Sequence, residues 1–570
     1  MVPVLAALGG ESFTNVFLAT MRYLAPVLLL LILIRCAKPL LTFRREPEIW
    51  AWLLLESGEK LPITHWENVI GRNKRCDIVV DLPTVSRNHA VLTRYDDGSW
   101  TISDAHSKAG VRVNGQKVPI SALEEGDIIS IGGVKMELRP ISKQQEARVA
   151  QLRTKGSSGL ESIANLLMLS VFQALTCIGF LVNGDEGTAL SVLAGFGGLM
   201  LLQWLLLIFY LSIKRPAFEV ETLAFTLCTM GMAALCTVRP NETVKQLIAV
   251  AMGVGIFLTI GWSMRNLERA KVMRYVAAVA GVGLLAVTLL LGREMNGAKN
   301  WIVIGPMSLQ PSELAKVCFV YVGASAMERL MNKRNLIFFI AYTLLVCGCL
   351  ALMNDFGTAL VFFCAFLMIA YMRSGSVGTV GLAITALGFA GVILLRMAPH
   401  ALQRFASWRH IWEDPLGAGY QQTQALMRIA SGGLFGLGIN EGYPKPVFAA
   451  DSDMVFATVA EEWGLLVPII LVLMVVALAL FAARSSGVSR SSFYTIGACT
   501  AGVILVVQMM FNVLGTLDVL PLTGVTLPFV SNGGSSMMCT WGLLAFVKAA
   551  DTRQFASFAV TTAERRKRHE

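Results

Sequence analysis

This chain of 570 residues has little charge: Asp, Glu, Lys and Arg together make up 15% of it, against about 25% in an ordinary soluble protein. Acidic residues are scarcer than basic ones, 38 against 48, and only six residues are histidine. The histidines are scattered. The eleven cysteines fall mostly within apolar runs and in no metal-ligand spacing, which argues against a disulfide framework or a zinc site. Met1 to Asn15 has no basic stretch and no small-residue cleavage site, so the first apolar run reads as an anchor rather than a signal peptide. Gly292 to Lys299 only approximates a phosphate-binding loop, because Ala298 stands where its Lys would be and no strand is expected before it.

Apolar sequence is abundant instead. Mean hydropathy is +0.61 and 55% of residues are hydrophobic. Runs of roughly 18–25 apolar residues recur, each long enough to cross a ~30 Å hydrocarbon layer as a helix. Over such lengths only helices satisfy every backbone group within lipid. About thirteen spans are expected, near 16–36, 163–183, 188–213, 217–238, 244–264, 272–292, 312–330, 336–353, 358–373, 379–396, 454–482, 491–514 and 533–549. The predicted fold class is an all-α polytopic membrane protein carrying one all-β module.

Lys and Arg gather in alternate loops: Lys214 and Arg215; Arg265, Arg269 and Lys271; Lys333 and Arg334; Arg373; Arg484 and Arg490; and Arg565 to Arg568 in the tail. Basic loops stay in the cytoplasm. The loops at 183–187, 239–245 and 354–357 and the long 397–453 segment then face outward. An odd number of spans puts the N-terminus outside and the tail inside. The net charge of +10 follows this orientation pattern and gives no reason to expect a nucleic-acid partner.

The organisation reads as an N-terminal anchor (1–46), a β module (47–142), a polar linker (143–160), two additional spans (161–215), a core (216–550) and a basic tail (551–570). Within the module, short β-type runs such as AWLLLE, DIVVD, HAVLTRY and SWTISD alternate with turn signals, among them Asp97-Gly98 and Asn114-Gly115. A small all-β sandwich is expected. The segments GRNKRCDIVVDLPTVSRNHA and SDAHSKAGVRVNG resemble the forkhead-associated (FHA) family in order and spacing, through Gly71-Arg72, Ser86-Arg87, His89 and Asn114-Gly115. The resemblance implies phosphothreonine-peptide binding, with Arg72 and Ser86 on the phosphate, Arg87 at the pocket's flank and His89 bracing the loop. Charge-assisted donors are what a phosphate needs. Ala109-Gly110 stands where the family usually has Asn-Gly. A sandwich serving as a docking platform without phosphate recognition is the alternative. A phosphothreonine reader belongs where cytoplasmic kinases act, and Arg35, Lys38, Arg44 and Arg45 after the first span agree with an inside location.

Four motifs stand out among the last ten spans: GAKNWIVIGPMSLQPSELAK at 297–316, NDFGTAL at 354–360, SDMVFATVAEEWG at 452–464 and LPLTGVTLPFVSNGGSS at 520–536. Charge-derived topology puts all four on or near the outer face, which suggests a shared site. A fifth segment, EDPLGAGYQQTQALMRIASGGLFGLGIN at 413–440, lies in a loop too long to be idle in a membrane protein. Its run Tyr420 to Ile429 has helical spacing, and Gly432-Gly433, Gly436 and Gly438 make a turn that is pliable or closely approached. Ionisable groups inside spans cost about 2.5–3.5 kcal/mol each on insertion scales, so Glu313, Lys316, Asp355, Asp453, Glu461 and Glu462 need a reason. Glu313 and Lys316 share a helix face and either neutralise one another or position substrate. Asp453 and Glu461 read either as a helix cap and a buried partner or as site residues. Asp414 before Pro415 fits a helix start as well as a chemical acid.

The motifs resemble the SEDS family, the RodA-, FtsW- and SpoVE-like proteins of bacterial shape, elongation, division and sporulation, over about 217–549. The resemblance implies a ten-span core and a peptidoglycan glycosyltransferase. Such an enzyme polymerises lipid II, a disaccharide pentapeptide on undecaprenyl pyrophosphate, at the outer face of the bacterial cytoplasmic membrane, beside a class B penicillin-binding protein. The context DPLGAGYQ carries the family's essential outer-loop acid onto Asp414. QPSE and the Lys three residues later map onto Glu313 and Lys316, and the Asp of T-D-F-I-F-A maps onto Asp453. Pro446-Val447 replaces the usual Pro-Glu, Asn532 the Tyr of SYGGSS, and Asn354 the Pro of QPDLG.

Glycan polymerisation joins a sugar hydroxyl to an anomeric carbon that bears a lipid pyrophosphate. A general base is worth ~10²–10⁴-fold for such a weak nucleophile, and Asp414 is the expected base. An α-linked donor giving a β-linked product inverts in one displacement, so no second carboxylate nucleophile is required. The leaving pyrophosphate wants cations: Lys299, Lys316, Arg404, Arg409 or Arg428, or a divalent ion such as Mg or Mn held partly by Asp414. No recognised ligand cluster assigns that metal. Rival readings are a transporter that flips the same lipid precursor, and a catalytically idle scaffold read through its FHA module. Transporters place polar sites near the membrane midplane in repeated halves, and no internal repeat is visible.

Overall fold

The computed structural model describes residues 2–43, 49–74, 76–95, 98–142, 144–145, 154–184, 186–265, 267–295, 297–304, 307–327, 333–374, 377–397, 399–443, 447–489, 491–554 and 556. The expectations on Arg44, Arg45, Asp97, half of the 143–160 linker, Pro446, Arg490 and the basic tail beyond 556 lie outside the described residues.

The β module occupies the stretch from Ala51 to Pro140. Its larger sheet is ordered β2 (Lys60–Ile63), β1 (Ala51–Leu55), β11 (Val134–Pro140), β10 (Ile128–Ile131), β7 (Val111–Val113), β8 (Gln116–Val118). The second runs β4 (Ile78–Val79), β3 (Glu67–Gly71), β5 (Ala90–Arg94), β6 (Trp100–Asp104), β9 (Ile120–Leu123). Alternate residues point inward, and Leu53, Ile70, Leu92, Ile102, Ile129 and Leu138 are fully buried. Asn114 and Gly115 both have positive φ at the β7–β8 turn, the backbone a two-residue hairpin demands.

The helices are α1 (Val2–Leu41), α2 (Gly159–Val182), α3 (Ala189–Ser212), α4 (Glu219–Val238), α5 (Thr243–Met264), α6 (Leu267–Leu291), α7 (Pro311–Met327), α8 (Lys333–Leu352), α9 (Phe356–Ser374), α10 (Val377–Met397), α11 (Pro399–Ser407), α12 (Tyr420–Gly432), α13 (Val455–Trp463), α14 (Leu466–Ser486), α15 (Ser492–Thr516) and α16 (Gly534–Ala549). Among the described residues, ten helices are long and apolar enough to cross a membrane. Each of the thirteen predicted runs contains a helix, and those whose helices fall outside that set are α7, α10 and α16. With 17 and 16 residues, α7 and α16 rise only about 24–26 Å.

The single span expected at 454–482 is corrected to two helices. Gly464 breaks it with φ +77°, and a Cβ there would stand 2.2 Å from the Leu434 carbonyl oxygen. The glycine loop after α12 zips onto this break: Leu437 N–H donates to Glu461 O, Gly438 N–H to Glu462 O and Leu465 N–H to Gly433 O. Gly432 and Gly436 serve this close backbone approach: a Cβ would stand 2.1 Å from Ala460 O at the first and 2.0 Å from Glu462 O at the second. A further addition is a three-stranded sheet, β12 (Arg293–Met295), β13 (Ala298–Ile304) and β14 (Met307–Leu309), in a segment expected to be loop.

Helices α4 and α16 form the centre of the bundle and are buried almost throughout. Trp541 of α16 packs between Phe225, Phe257 and Phe529. Charge in this interior is paired. Lys548 bonds Glu221 at 3.1 Å, and Arg553 bonds both Glu219 at 2.9 Å and Asp551 at 2.7 Å. The chain entering α2 joins this cluster, since Ser157 hydrogen-bonds Glu219 and Gly156 N–H donates to Gln554 O. The β module touches the same end through a Ser492 hydroxyl that donates to Glu67 at 3.1 Å. The other end of α4, about 30 Å away over its 20 residues, carries Arg239.

The two additional spans α2 and α3 pack on the bundle with a buried amide cluster, Gln173, Gln203 and Thr229. Their connecting turn grips the glycine loop after α12: Asn183 donates to Ile439 O and to Glu441, and Asn440 donates back to Asn183 O.

Candidate active site

At the Arg239 end of the bundle the connecting segments enclose a cavity of about 1280 Å³. All four motifs line it, through Asn300 and Gln310, Asn354 and Asp355, Ser452 and Asp453, and Thr523 to Ser536. Arg239, Lys245, Arg404 and Trp408 complete the wall.

Hydrogen bonds stitch the motifs together. Asp355 accepts from the Asn300 amide at 2.9 Å, the Gln310 amide at 3.1 Å and Thr358 N–H at 3.2 Å, so it caps α9 while tying β13 and the start of α7 to it. Gln310 N–H donates to Ser535 Oγ. Ser531 Oγ donates to Ser452 O at 2.6 Å, and Asn532 donates its amide to Asp451 at 2.7 Å. Asp451 also takes the Arg239 guanidinium. Asn532, where the family resemblance expects Tyr, therefore has a specific partner. Asp451 was missed in sequence reasoning, although it stands two residues before Asp453 in the same acidic turn.

The predicted site residues separate into those at the cavity and those behind it. Asp453 and Arg404 line it. Burial pushes the Asp453 carboxyl up to about 6; the Arg404 guanidinium pulls it down and Asp451 adds to the rise. Asp453 does not cap α13, whose preceding residue is Met454. Arg404 reaches toward Leu522 O at 3.4 Å.

Glu313 and Lys316 are paired at 2.7 Å and buried inside α7, away from the lining. Lys299 donates to Leu289 O at 2.7 Å and Lys299 N–H to Met353 O, which fastens the hairpin to α6 and α8. Glu461 accepts from Arg428 at 2.9 Å and from Tyr443 N–H at 2.8 Å, which fixes α12 against α13. Of the five cations considered for the pyrophosphate, Arg404 alone stands in the described lining.

Asp414 lies outside that lining, in an exposed turn before α12. Its Oδ2 accepts from Ala418 N–H at 2.9 Å, and Gly419 N–H reaches its carbonyl at 3.0 Å. It organises this turn; the residue directly before the helix is Gly419. A Cβ at Gly417 would stand 2.2 Å from the Asp414 carboxylate. The segment leading into this turn is fastened near the cavity rim: Trp408 Nε1 donates to Val519 O at 3.2 Å and Arg409 N–H to Asp518 at 3.2 Å. Among the described residues no group of three His, Cys, Asp or Glu forms a metal site.

In the β module, Arg72 N–H donates to Ser86 O and Asn73 N–H to Arg87 O, both at 3.0 Å. A Cβ at Gly71 would stand 2.3 Å from Arg87 O, so only glycine permits this approach. The side chains of Arg72 and Arg87 are exposed. Buried His89 accepts from Ser86 N–H at Nδ1 (3.0 Å) and faces Gly110 O at Nε2 (3.2 Å). The Ser86 hydroxyl accepts from Lys108 N–H at 3.1 Å.

The family of cell cycle proteins FtsW, RodA and SpoVE matches residues 223–554, and the FHA domain family matches 68–132. A probable peptidoglycan glycosyltransferase FtsW of Tolumonas auensis is 32% identical over 364 residues, covering 59% of this chain and 93% of its own. A peptidoglycan glycosyltransferase RodA of Mycobacterium tuberculosis is 28% identical over 322 residues, covering 53% of this chain and 69% of its own. A solved structure described as "Structural coordination of polymerization and crosslinking by a peptidoglycan synthase complex" is similar at 27% identity and a TM-score of 0.48, over 58% of this chain and 96% of that one.

Proposed function

Because this chain belongs to the FtsW, RodA and SpoVE family of cell cycle proteins, we propose that it is an inverting peptidoglycan glycosyltransferase that polymerises lipid II. The observation that carries the reading is the cavity of about 1280 Å³, on which four separate motifs converge, with Trp408 in its wall six residues before Asp414. Arg404 would meet the pyrophosphate of the lipid-linked disaccharide pentapeptide, with Asp453 holding that arginine in place. Asp414, exposed and oriented by Ala418 N–H, would take the proton of the attacking hydroxyl of a sugar seated at the cavity mouth. Lys299, Glu313, Lys316 and Glu461 hold the walls, and their effect on the reaction passes through the groups they position.

The basic loops and the β module mark the cytoplasmic end, and the cavity and the Asp414 turn the extracytoplasmic end. The FHA domain would take a phosphothreonine segment of a partner protein through Arg72, Ser86 and Arg87, which couples polymerisation to a protein kinase. A class B penicillin-binding protein would crosslink the product. The test supplies purified protein with labelled lipid II, with and without such a transpeptidase. Glycan chains support the reading. Lipid translocation without polymer under every partner condition would favour the transporter and sink it.

A further inference from the structure

We propose that the groove between α3 and α5, at the end of the bundle that carries the β module, binds the headgroup and upper acyl chain of an anionic phospholipid. Helix α3 lies outside the residues matched by the family of cell cycle proteins and α5 inside them, so the groove is formed where an added span meets the core.

The groove arises from side-chain size. Near the cavity end α3 lies tight on α5: a Cβ at Gly198 would stand 2.2 Å from Leu247 Cδ2, and one at Gly195 3.0 Å from Thr243 Cβ. Toward the other end bulk returns, and Phe209 of α3 and Ile213 just after it line a common space with Leu258 and Trp262 of α5. The helices part there around a space of about 410 Å³. Its walls are apolar, and its mouth carries two guanidinium groups, Arg215 and Arg265.

Depth in the membrane is set by independent features. The candidate spans end at Ser212 and Met264, so both arginines stand just past the hydrocarbon. Trp262 is 60% exposed, with the Arg269 guanidinium 4.0 Å over its ring and Arg269 Nη1 donating to the Trp262 carbonyl at 3.0 Å. An exposed tryptophan at a span's end marks the headgroup level. A basic pocket between spans at this level suits an anionic headgroup. Two arginines bracket a phosphate, and Phe209, Ile213 and Leu258 offer the chain beneath it an apolar seat. Free phosphate would use the mouth and leave the apolar wall exposed. A zwitterionic lipid brings its own cation against the arginines.

The test uses the full chain, delipidated in detergent, with bound lipid read by native mass spectrometry. Phosphatidylglycerol should be retained over phosphatidylcholine, and glycerol phosphate alone should not displace it. The double variant Arg215→Gln/Arg265→Gln should weaken phosphatidylglycerol retention on the order of tenfold. Ile213→Trp, which fills the groove and keeps both arginines, should weaken it as well and decides the matter if the double variant fails to fold. Unchanged retention in either folded variant, equal retention of phosphatidylcholine, or displacement by glycerol phosphate would overturn the assignment.

Discussion

Asp453 and Arg404 meet at Gly524: a Cβ built there would stand 3.4 Å from Asp453 Oδ2 and 4.0 Å from Arg404 Nη1. An acid from the segment before α13 and a base from α11 thus close on one glycine of the fourth motif, inside the cavity wall.

That pair predicts a pH dependence. The Asp453 carboxyl is raised to about 6, above its unfolded value, so the folded state binds the extra proton between about pH 4 and 6. Its ionisation therefore costs stability as pH rises through that window, on the order of 3 kcal/mol. Asp453→Asn should melt at an equal or higher temperature than the parent at pH 7.5 and lose this advantage below pH 4. Polymerisation should fall below about pH 6 in the parent as the charge facing Arg404 disappears. Asp453→Asn should be slower overall and flatter across that limb. A parent limb that persists in Asp453→Asn would assign it to another group.

The buried Arg428–Glu461 pair should be costly to break. Removing one partner of such a pair costs about 3–5 kcal/mol, because the other charge is left without its neighbour. Arg428→Ala should lower the thermal midpoint in detergent by many degrees. The double variant Arg428→Met/Glu461→Met should recover most of the loss.

Gly436 and Gly464 are predicted to tolerate no side chain. Both have positive φ, and a Cβ at Gly436 would stand 2.0 Å from the Glu462 carbonyl oxygen. Gly436→Ala should cost roughly 3 kcal/mol or more, visible as loss of the folded peak in size-exclusion chromatography. Gly433→Ala, with no atom within 4 Å of its Cβ, should be milder.

In the FHA domain, Arg72→Ala should abolish binding of a phosphothreonine peptide to the full chain, measured by calorimetry, with the melting temperature unchanged. His89→Ala should lower both, because His89 is buried and braces Ser86 and Gly110. Peptide binding that survives Arg72→Ala would return the module to a docking platform.

Much of this architecture was legible in the sequence, for identifiable reasons. Apolar runs and charge bias report directly on membrane helices, and the module's turn residues report on its hairpins. The break at Gly464 was hidden because Glu461 and Glu462 could also sit in one continuous helix, while the break depends on backbone bonds with the upstream loop at Gly433, Leu437 and Gly438. The hairpin of β12 and β13 was hidden likewise, since Lys299 and Met353 meet only in the fold. At the site, pairing separated residues that the sequence ranked together: Lys299, Lys316 and Arg428 have buried or backbone partners, while Arg404 faces the cavity. Asp451 and Arg239 escaped notice because their importance lies in a contact across more than two hundred residues.

The most direct measurement is glycan-chain formation from labelled lipid II by purified Asp414→Ala beside the parent, at matched folding and with the transpeptidase partner present. A loss of ~10²–10⁴-fold is expected, with the melting temperature nearly unchanged because the Asp414 turn is exposed. Polymer made at the parent's rate by Asp414→Ala would contradict it and move the chemistry to the acids of the cavity wall.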